Sequence, residues 1–198
     1  MRSSARRRRA AVAAATALWT ACALAAAAGH AGAELIERIL AVVDGRPLML
    51  SEVALMERLR GVERGVALEA LIDEALMFRD ASRLPATLAT TDDEERAYAA
   101  LRERVGADAA RLEGGLRRLA RRQVAILKYV EFRFGPQVRV DDEAARAVYG
   151  AEYQGRDDVP PFETVRDEIR ERLHRAGLDE AVEAWVAELR AGAEVRYN

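Results

Sequence analysis

Hydrophobic and polar positions change period along the chain, and each change predicts an element. A continuous apolar run from Ile39 to Val43 ends at Asp44-Gly45, the dipeptide that best tolerates the positive φ angles of a tight hairpin turn. Leu48, Met49 and Leu50 then lead to Ser51, an expected helix N-cap, and to Glu52, an acid where the helix dipole favours one. Glu37 to Glu63 thus predicts strand, hairpin, strand and the start of a helix. From Val66 to Leu84 the spacing of Leu68, Leu71, Ile72, Ala75 and Leu76 is helical, with Glu69, Asp73, Glu74 and Arg79 largely outside the stripe. Pro85 ends that helix, and Met77 and Phe78 broaden its apolar face toward core packing or a ligand groove.

Further along, Thr91 with Glu94 three residues later has the capping-box spacing and predicts a helix to about Val105. Gly106 to Gly115 reads as a short helix or turn broken at Gly114-Gly115, since each interior glycine costs roughly 1 kcal/mol. A stronger helix is predicted from Leu116 to Phe132, with Leu116, Leu119, Val124, Leu127 and Val130 inside and Arg117, Arg118, Arg121 and Arg122 outside. Gly135-Pro136 stops it. Asp141 or Asp142 caps the next helix, whose apolar residues are Val148, Tyr149 and Tyr153. After the turn-like Gln154 to Pro160, Pro160-Pro161 opens a last helical stretch through Val165, Ile169, Leu173, Val182, Trp185, Val186 and Leu189. A kink or break is expected near Gly177, and Gly192 serves as C-cap. Alternation of Ala193, Val195 and Tyr197 with Glu194 and Arg196 predicts a closing strand.

That closing strand needs a partner, because an isolated strand leaves its backbone unsatisfied. Pro47 lacks a ladder donor and assigns Arg46 to Met49 to a sheet edge. The apolar strand Ile39 to Val43 is then central, with its free side open to Val195 to Tyr197. The expected fold is mainly α, with a small sheet made by an N-terminal hairpin and the C-terminal strand.

The first 33 residues carry a different pattern. Arg2 and Arg6 to Arg9 precede the alanine-dominated stretch Ala10 to Ala28, and Ala31-Gly32-Ala33 supplies the small residues a signal peptidase requires. This predicts a cleaved secretory signal with the cut between Ala33 and Glu34, export of the cleaved chain, and one domain over residues 34–198, its N-terminal body spanning 34–153 and its returning helix and strand 160–198. A retained membrane anchor and lipidation at Cys22 are the other two possibilities, the first weakened by the alanine content and the second by the poor match of Trp19-Thr20-Ala21 to a lipobox. Cleavage would leave 165 residues with 26 basic and 33 acidic side chains, a formal charge of −7. A nucleic-acid partner is not expected from that charge, although the four arginines 117, 118, 121 and 122 taken alone invite it. They are expected to form a solvated face that pairs with acids of other helices.

Candidate chemistry is sparse. The one cysteine, Cys22, falls in the signal segment, so neither a disulfide nor cysteine chemistry is available to the cleaved chain. Asp92 to Glu95 is the densest acidic cluster, but consecutive acids at a helix start point to different faces and have no calcium-loop spacing. His174 stands among Glu171, Arg172 and Arg175 and reads as a surface histidine. With no histidine pair, glycine-rich phosphate loop or metal spacing, no catalytic residues, cofactor or metal are assigned, and the chain is not expected to be an enzyme.

Four segments carry a family resemblance: ERILAVVDGRPLMLSEV, the helix ALEALIDEALMFRDA, VRVDDEAARAVYGAEY, and the closing stretch from PPFETV to RYN. They resemble the N-terminal chaperone domain of SurA-type periplasmic proteins, itself distantly similar to the client-binding domain of trigger factor. The resemblance implies that the two chain ends meet in one helical body. It also implies a parvulin prolyl isomerase domain between VYGAEY and PPFETV, where this chain has only QGRDDVP. The implied function is a holdase that binds unfolded polypeptides, with outer-membrane protein precursors as the expected clients and no isomerase activity. Met49, Met56, Leu59, Tyr129, Phe132 and Phe134 are the candidate client-binding residues, an apolar set in which methionine adapts to varied shapes. The alternative is an assembly subunit or homodimer whose apolar surface is covered permanently by one partner.

Overall fold

A strand that is apolar along its whole length gains most when neighbours cover both of its edges and both of its faces, and the chain provides them from its two ends. In the computed structural model, which describes residues 37–85 and 89–198, β1 (Ile39–Val43) is the middle of a three-stranded antiparallel sheet of order β2-β1-β3. β2 (Arg46–Met49) pairs Val43 with Arg46 and Val42 with Pro47, and the register slips between Ile39 and Ala41. β3 (Val195–Tyr197) pairs Ala41 with Tyr197 and Val43 with Val195. The turn between β1 and β2 holds Asp44 at φ 47° and Gly45 at φ 82°, both positive as a type I′ hairpin requires. Pro47 lies on the edge strand, where its missing donor costs nothing. The signal segment and its cut lie outside the described residues.

Six α-helices are described. α1 (Leu50–Arg60) begins one residue before the expected cap: Glu52 accepts from the Met49 N–H at 3.3 Å, while Ser51 is already helical and donates its N–H to Glu37 at 3.1 Å. Two carboxylates, Glu52 and Glu37, therefore take the Met49 and Ser51 amides where the helix starts, and Met49 stands at the cap position in place of Ser51. Gly61 ends α1 in the left-handed region (φ 66°), donating to the Glu57 carbonyl. α2 (Arg64–Ala81) buries Leu71, Ile72 and Leu76 completely or nearly so.

α3 (Thr91–Val105) is capped by Thr90 and Asp93, one position ahead of the expected Thr91 and Glu94. Asp93 is held there by Thr90 and also takes an ion pair from Lys128. A 3-10 turn at Gly106–Asp108 leads to α4 (Glu113–Phe134), which starts before the two glycines expected to break it. Gly115 is tolerated for a packing reason: an added Cβ would lie 3.2 Å from Leu55 Cδ2, so its bare backbone allows α4 to close on α1. The pairs Asp93–Lys128, Glu94–Arg121 and Glu95–Arg117 step in opposite directions along α3 and α4, which makes the two antiparallel and matches the expected cross-helix pairing.

α5 (Asp142–Tyr153), capped by Asp141, packs on the first part of α6 (Phe162–Ala191) around Ala145, Phe162 and Ile169. Helix α6 runs unbroken through Gly177, where a kink was expected. That glycine is explained by contact, since an added Cβ would sit 2.5 Å from Val138 Cγ1. The second half of α6 returns to α2 and α4. There Trp185 stacks on Tyr129 with ring centroids 4.8 Å apart and packs against Phe134, and the Trp185 Nε1–H and the Tyr129 hydroxyl both donate to Asp80. Arg190 bonds Asp73 and Glu69, and Tyr197 donates to Glu69 at 2.9 Å, so helix and terminal strand are fastened to α2 together.

Candidate functional site: apolar residues and an arginine-rimmed cleft

The six apolar candidates do not share one surface. Met56 is buried in the main core with Val53 and Leu55, and Leu59 packs half-buried against it. Met49 is half-buried where β2 passes into α1. Tyr129 and Phe134 belong to the interior aromatic cluster around Trp185. Burial and the two hydroxyl contacts, to Asp80 and from Arg133, give Tyr129 a structural role, and burial raises its phenol pKa. Phe132 alone of the six is open to solvent, at 60% exposure. Leu127, expected inside, is 66% exposed, because α4 turns that side away from α2 and α6. The five residues from Leu127 to Phe132 place the two about 140° apart around the helix, so they are separate apolar points.

A concave site lies elsewhere, between the β1–β2 hairpin, α2 and α4. It is a cleft of about 510 Å³ with a floor of Val43, Ala75, Leu76 and Phe78. Five arginines, 46, 79, 118, 121 and 122, stand around that floor. Hydrophobic period explains the floor, because Ala75 and Leu76 belong to the inward stripe of α2 and Phe78 lies at its margin. A smaller cavity of about 180 Å³ lies on the α1 side and shares Arg118 and Arg122 with the cleft.

Charge within the cleft is unevenly matched. Arg122 is not on a solvated face as expected. It is 7% exposed, donating from Nε to Glu74 at 2.6 Å and from Nη1 to Glu52 at 3.0 Å. Glu52 also receives Arg46 at 3.4 Å. Burial raises the carboxyl pKa of Glu74 even though Arg122 opposes it, and burial followed by the charge of Arg122 lowers the guanidinium pKa of Arg46. Arg79 pairs with Asp44 through Nη1, yet its buried Nε has no hydrogen-bond partner among the described residues. Arg121 is taken by Glu94.

Glu74, expected outside the apolar stripe of α2, is buried at 4% exposure. The signal in the sequence is spacing: Glu74 is three residues after Leu71, and Arg122 three after Leu119, so each adjoins an apolar stripe where a charge needs a partner. His174, expected at the surface, is half-buried, with Nδ1 3.0 Å from the Val138 carbonyl. Among the described residues no group of three or more His, Cys, Asp or Glu is placed to hold a metal ion, and no helix is long and apolar enough to cross a membrane. The chain matches no protein-family model and no curated protein.

Proposed function

We propose that this chain is a periplasmic holdase chaperone that binds unfolded polypeptides, with outer-membrane protein precursors as its clients, and that it does so without prolyl isomerase activity. The observation that carries the proposal is the sheet β2-β1-β3, in which the hairpin of residues 39–49 and the strand of residues 195–197 complete each other. That is the layout the SurA resemblance implies, a body closed by the return of the last helix and strand. Scattered exposed apolar residues, among them Val66, Leu127, Phe132 and Val159, support weak holding at several points along an extended client. Apolar burial is non-directional and so accepts varied sequences. Release follows from the weakness of each contact and from folding of the client elsewhere.

The test is suppression of aggregation. A client diluted from denaturant, with the chaperone at stoichiometric amounts, is expected to scatter less light than the client alone. Unchanged scattering together with no detectable client binding rejects the proposal. Light scattering after size exclusion separates the alternative, since an obligate dimer that covers Leu127 and Phe132 points to an assembly subunit. In a proline-peptide assay the chain is expected to leave the isomerisation rate at that of buffer.

A further inference from the structure

We propose that the cleft between the hairpin, α2 and α4 is a binding site for a carboxylate carried on an apolar body, such as an aromatic acid or the free C-terminal end of a chain whose last residue is apolar. The proposal stands on the cleft itself and does not depend on the chaperone reading.

Its volume, about 510 Å³, falls in the range of sites that enclose small ligands, roughly 300–1,000 Å³. The floor is hydrocarbon and an aromatic ring, Val43, Ala75, Leu76 and Phe78, which suits an apolar body. The rim is cationic, and its ion pairs do not cover every guanidinium. Four of the five guanidiniums pair with four carboxylates, Asp44, Glu52, Glu74 and Glu94, with Glu52 shared between Arg46 and Arg122, while Glu37 on the α1 side feels the charge of Arg118 without an ion pair. Arg118 makes no ion pair among the described residues. In a chain with an acidic balance, this is a local excess of positive charge on a partly desolvated surface, where attraction for an anion is strengthened.

One donor lies just below the cleft surface. The Nε–H of Arg79 is buried with no partner among the described residues, and leaving such a group unsatisfied costs free energy that a ligand acceptor recovers once the side chain turns that N–H to the cleft. A carboxylate suits this rim because guanidiniums present planar, paired donors that match its two oxygens. Arg118 and Arg79 are therefore the recognition groups. Arg122 and Arg46, already committed to Glu74 and Glu52, shape the rim.

Binding is measured by calorimetry and by chemical-shift changes with phenylpropanoate, and with phenylpropanamide as the uncharged match. A tripeptide ending in phenylalanine, free or amidated at its C-terminus, forms the second arm. The acid is expected to bind and the amide not, and Arg118→Gln and Arg79→Gln each to weaken the acid about tenfold, as loss of one charged hydrogen bond does. Arg175→Gln, on α6 outside the cleft, is expected to change nothing. Arg118 has no ion pair to lose, so Arg118→Gln stays informative if Arg79→Gln fails to fold. Preference for the free-ended tripeptide over the small acid identifies a chain end as the ligand, and the reverse a small molecule. Equal binding of acid and amide, binding that both variants leave untouched, or no binding in either arm overturns the proposal. None of these outcomes depends on whether the chain suppresses aggregation.

Discussion

Asp44 and Glu194 meet across 150 positions of sequence through two hydrogen bonds, the Asp44 N–H to the Glu194 carbonyl and the Glu194 N–H to Asp44 Oδ1, both 2.9 Å. The second carboxylate oxygen of Asp44 takes Arg79 of α2. One side chain thus ties the hairpin turn, the last strand and a core helix together. Asp44 also holds a positive φ, which aspartate and asparagine tolerate better than other non-glycine residues. Asp44→Ala is expected to lose about 2 kcal/mol, from the cost of the backbone conformation and the loss of the carboxylate's partners. Asp44→Asn keeps the backbone preference and one acceptor and should lose about half as much. Thermal melting of the two variants checks this order. An alanine variant as stable as the asparagine one would mean that neither the positive φ nor the retained acceptor contributes, and that the charge facing Arg79, lost in both, sets the cost.

The buried pair of Arg122 and Glu74 gives a pH dependence of definite sign. Burial raises the folded-state pKa of Glu74 above its unfolded value. Folding therefore favours the protonated form, and the contribution is fully present below the ordinary glutamate range and lost as pH rises through the raised value. Glu74→Gln, which keeps an oxygen for Arg122, removes that dependence. Denaturant titration of wild type and variant from acid to neutral pH should show the wild type losing ground relative to the variant as pH rises. A constant difference would show that Glu74 titrates normally. Arg122→Met, by contrast, leaves Glu74 buried alone and is expected to cost about 3–5 kcal/mol at neutral pH.

Much of the frame was legible because it rests on local rules. Asp44-Gly45 permits one kind of turn, and Pro47 permits one place in a sheet, so strand order followed from a few residues. Helix positions followed from apolar period together with cap and breaker residues, to within a few residues at their starts. The misplaced features are the ones set by tertiary contact. Gly115 and Gly177 look like helix breakers until Leu55 and Val138 are seen against them. Arg122 looks like its solvated neighbours until Glu74 is opposite. Tyr129 and Phe134 look like binding residues until Trp185, 51 residues or more away along the chain, stacks against them. The cleft was hidden for the same reason, being assembled from the hairpin, α2 and α4, segments that no local pattern joins.

Gly177 provides a prediction opposite to the usual one. Glycine in a helix interior costs about 1 kcal/mol relative to alanine, so Gly177→Ala on propensity alone should stabilise. Here the new methyl would meet Val138 Cγ1 at 2.5 Å, and Val138 also places the carbonyl that His174 contacts. The variant is expected to be about 1 kcal/mol less stable than wild type, within the cost of overpacking. Made in a Val138→Ala background, where the obstructing methyl is gone, the same change should be neutral or stabilising. A double-mutant cycle by denaturant unfolding measures the coupling, and additive effects would reject close contact as the reason for the glycine.

Leu127 and Phe132 test where on the body a client would be held. Both are exposed, neither is part of a core cluster, and substitutions at such positions usually change stability by no more than about 0.5 kcal/mol. Leu127→Ser with Phe132→Ser is therefore expected to leave the melting temperature within about 2 °C of wild type. If clients are held by apolar burial on α4, the double variant should be needed at higher concentration for the same suppression of aggregation, because two apolar contacts have been removed. The aromatic cluster gives the contrast: Trp185→Ala is expected to cost about 3–5 kcal/mol, so its failure to hold a client would say nothing about contact. Equal suppression by wild type and the double serine variant, at equal stability, would remove α4 from the holding surface and leave the remaining exposed residues and the cleft to carry it.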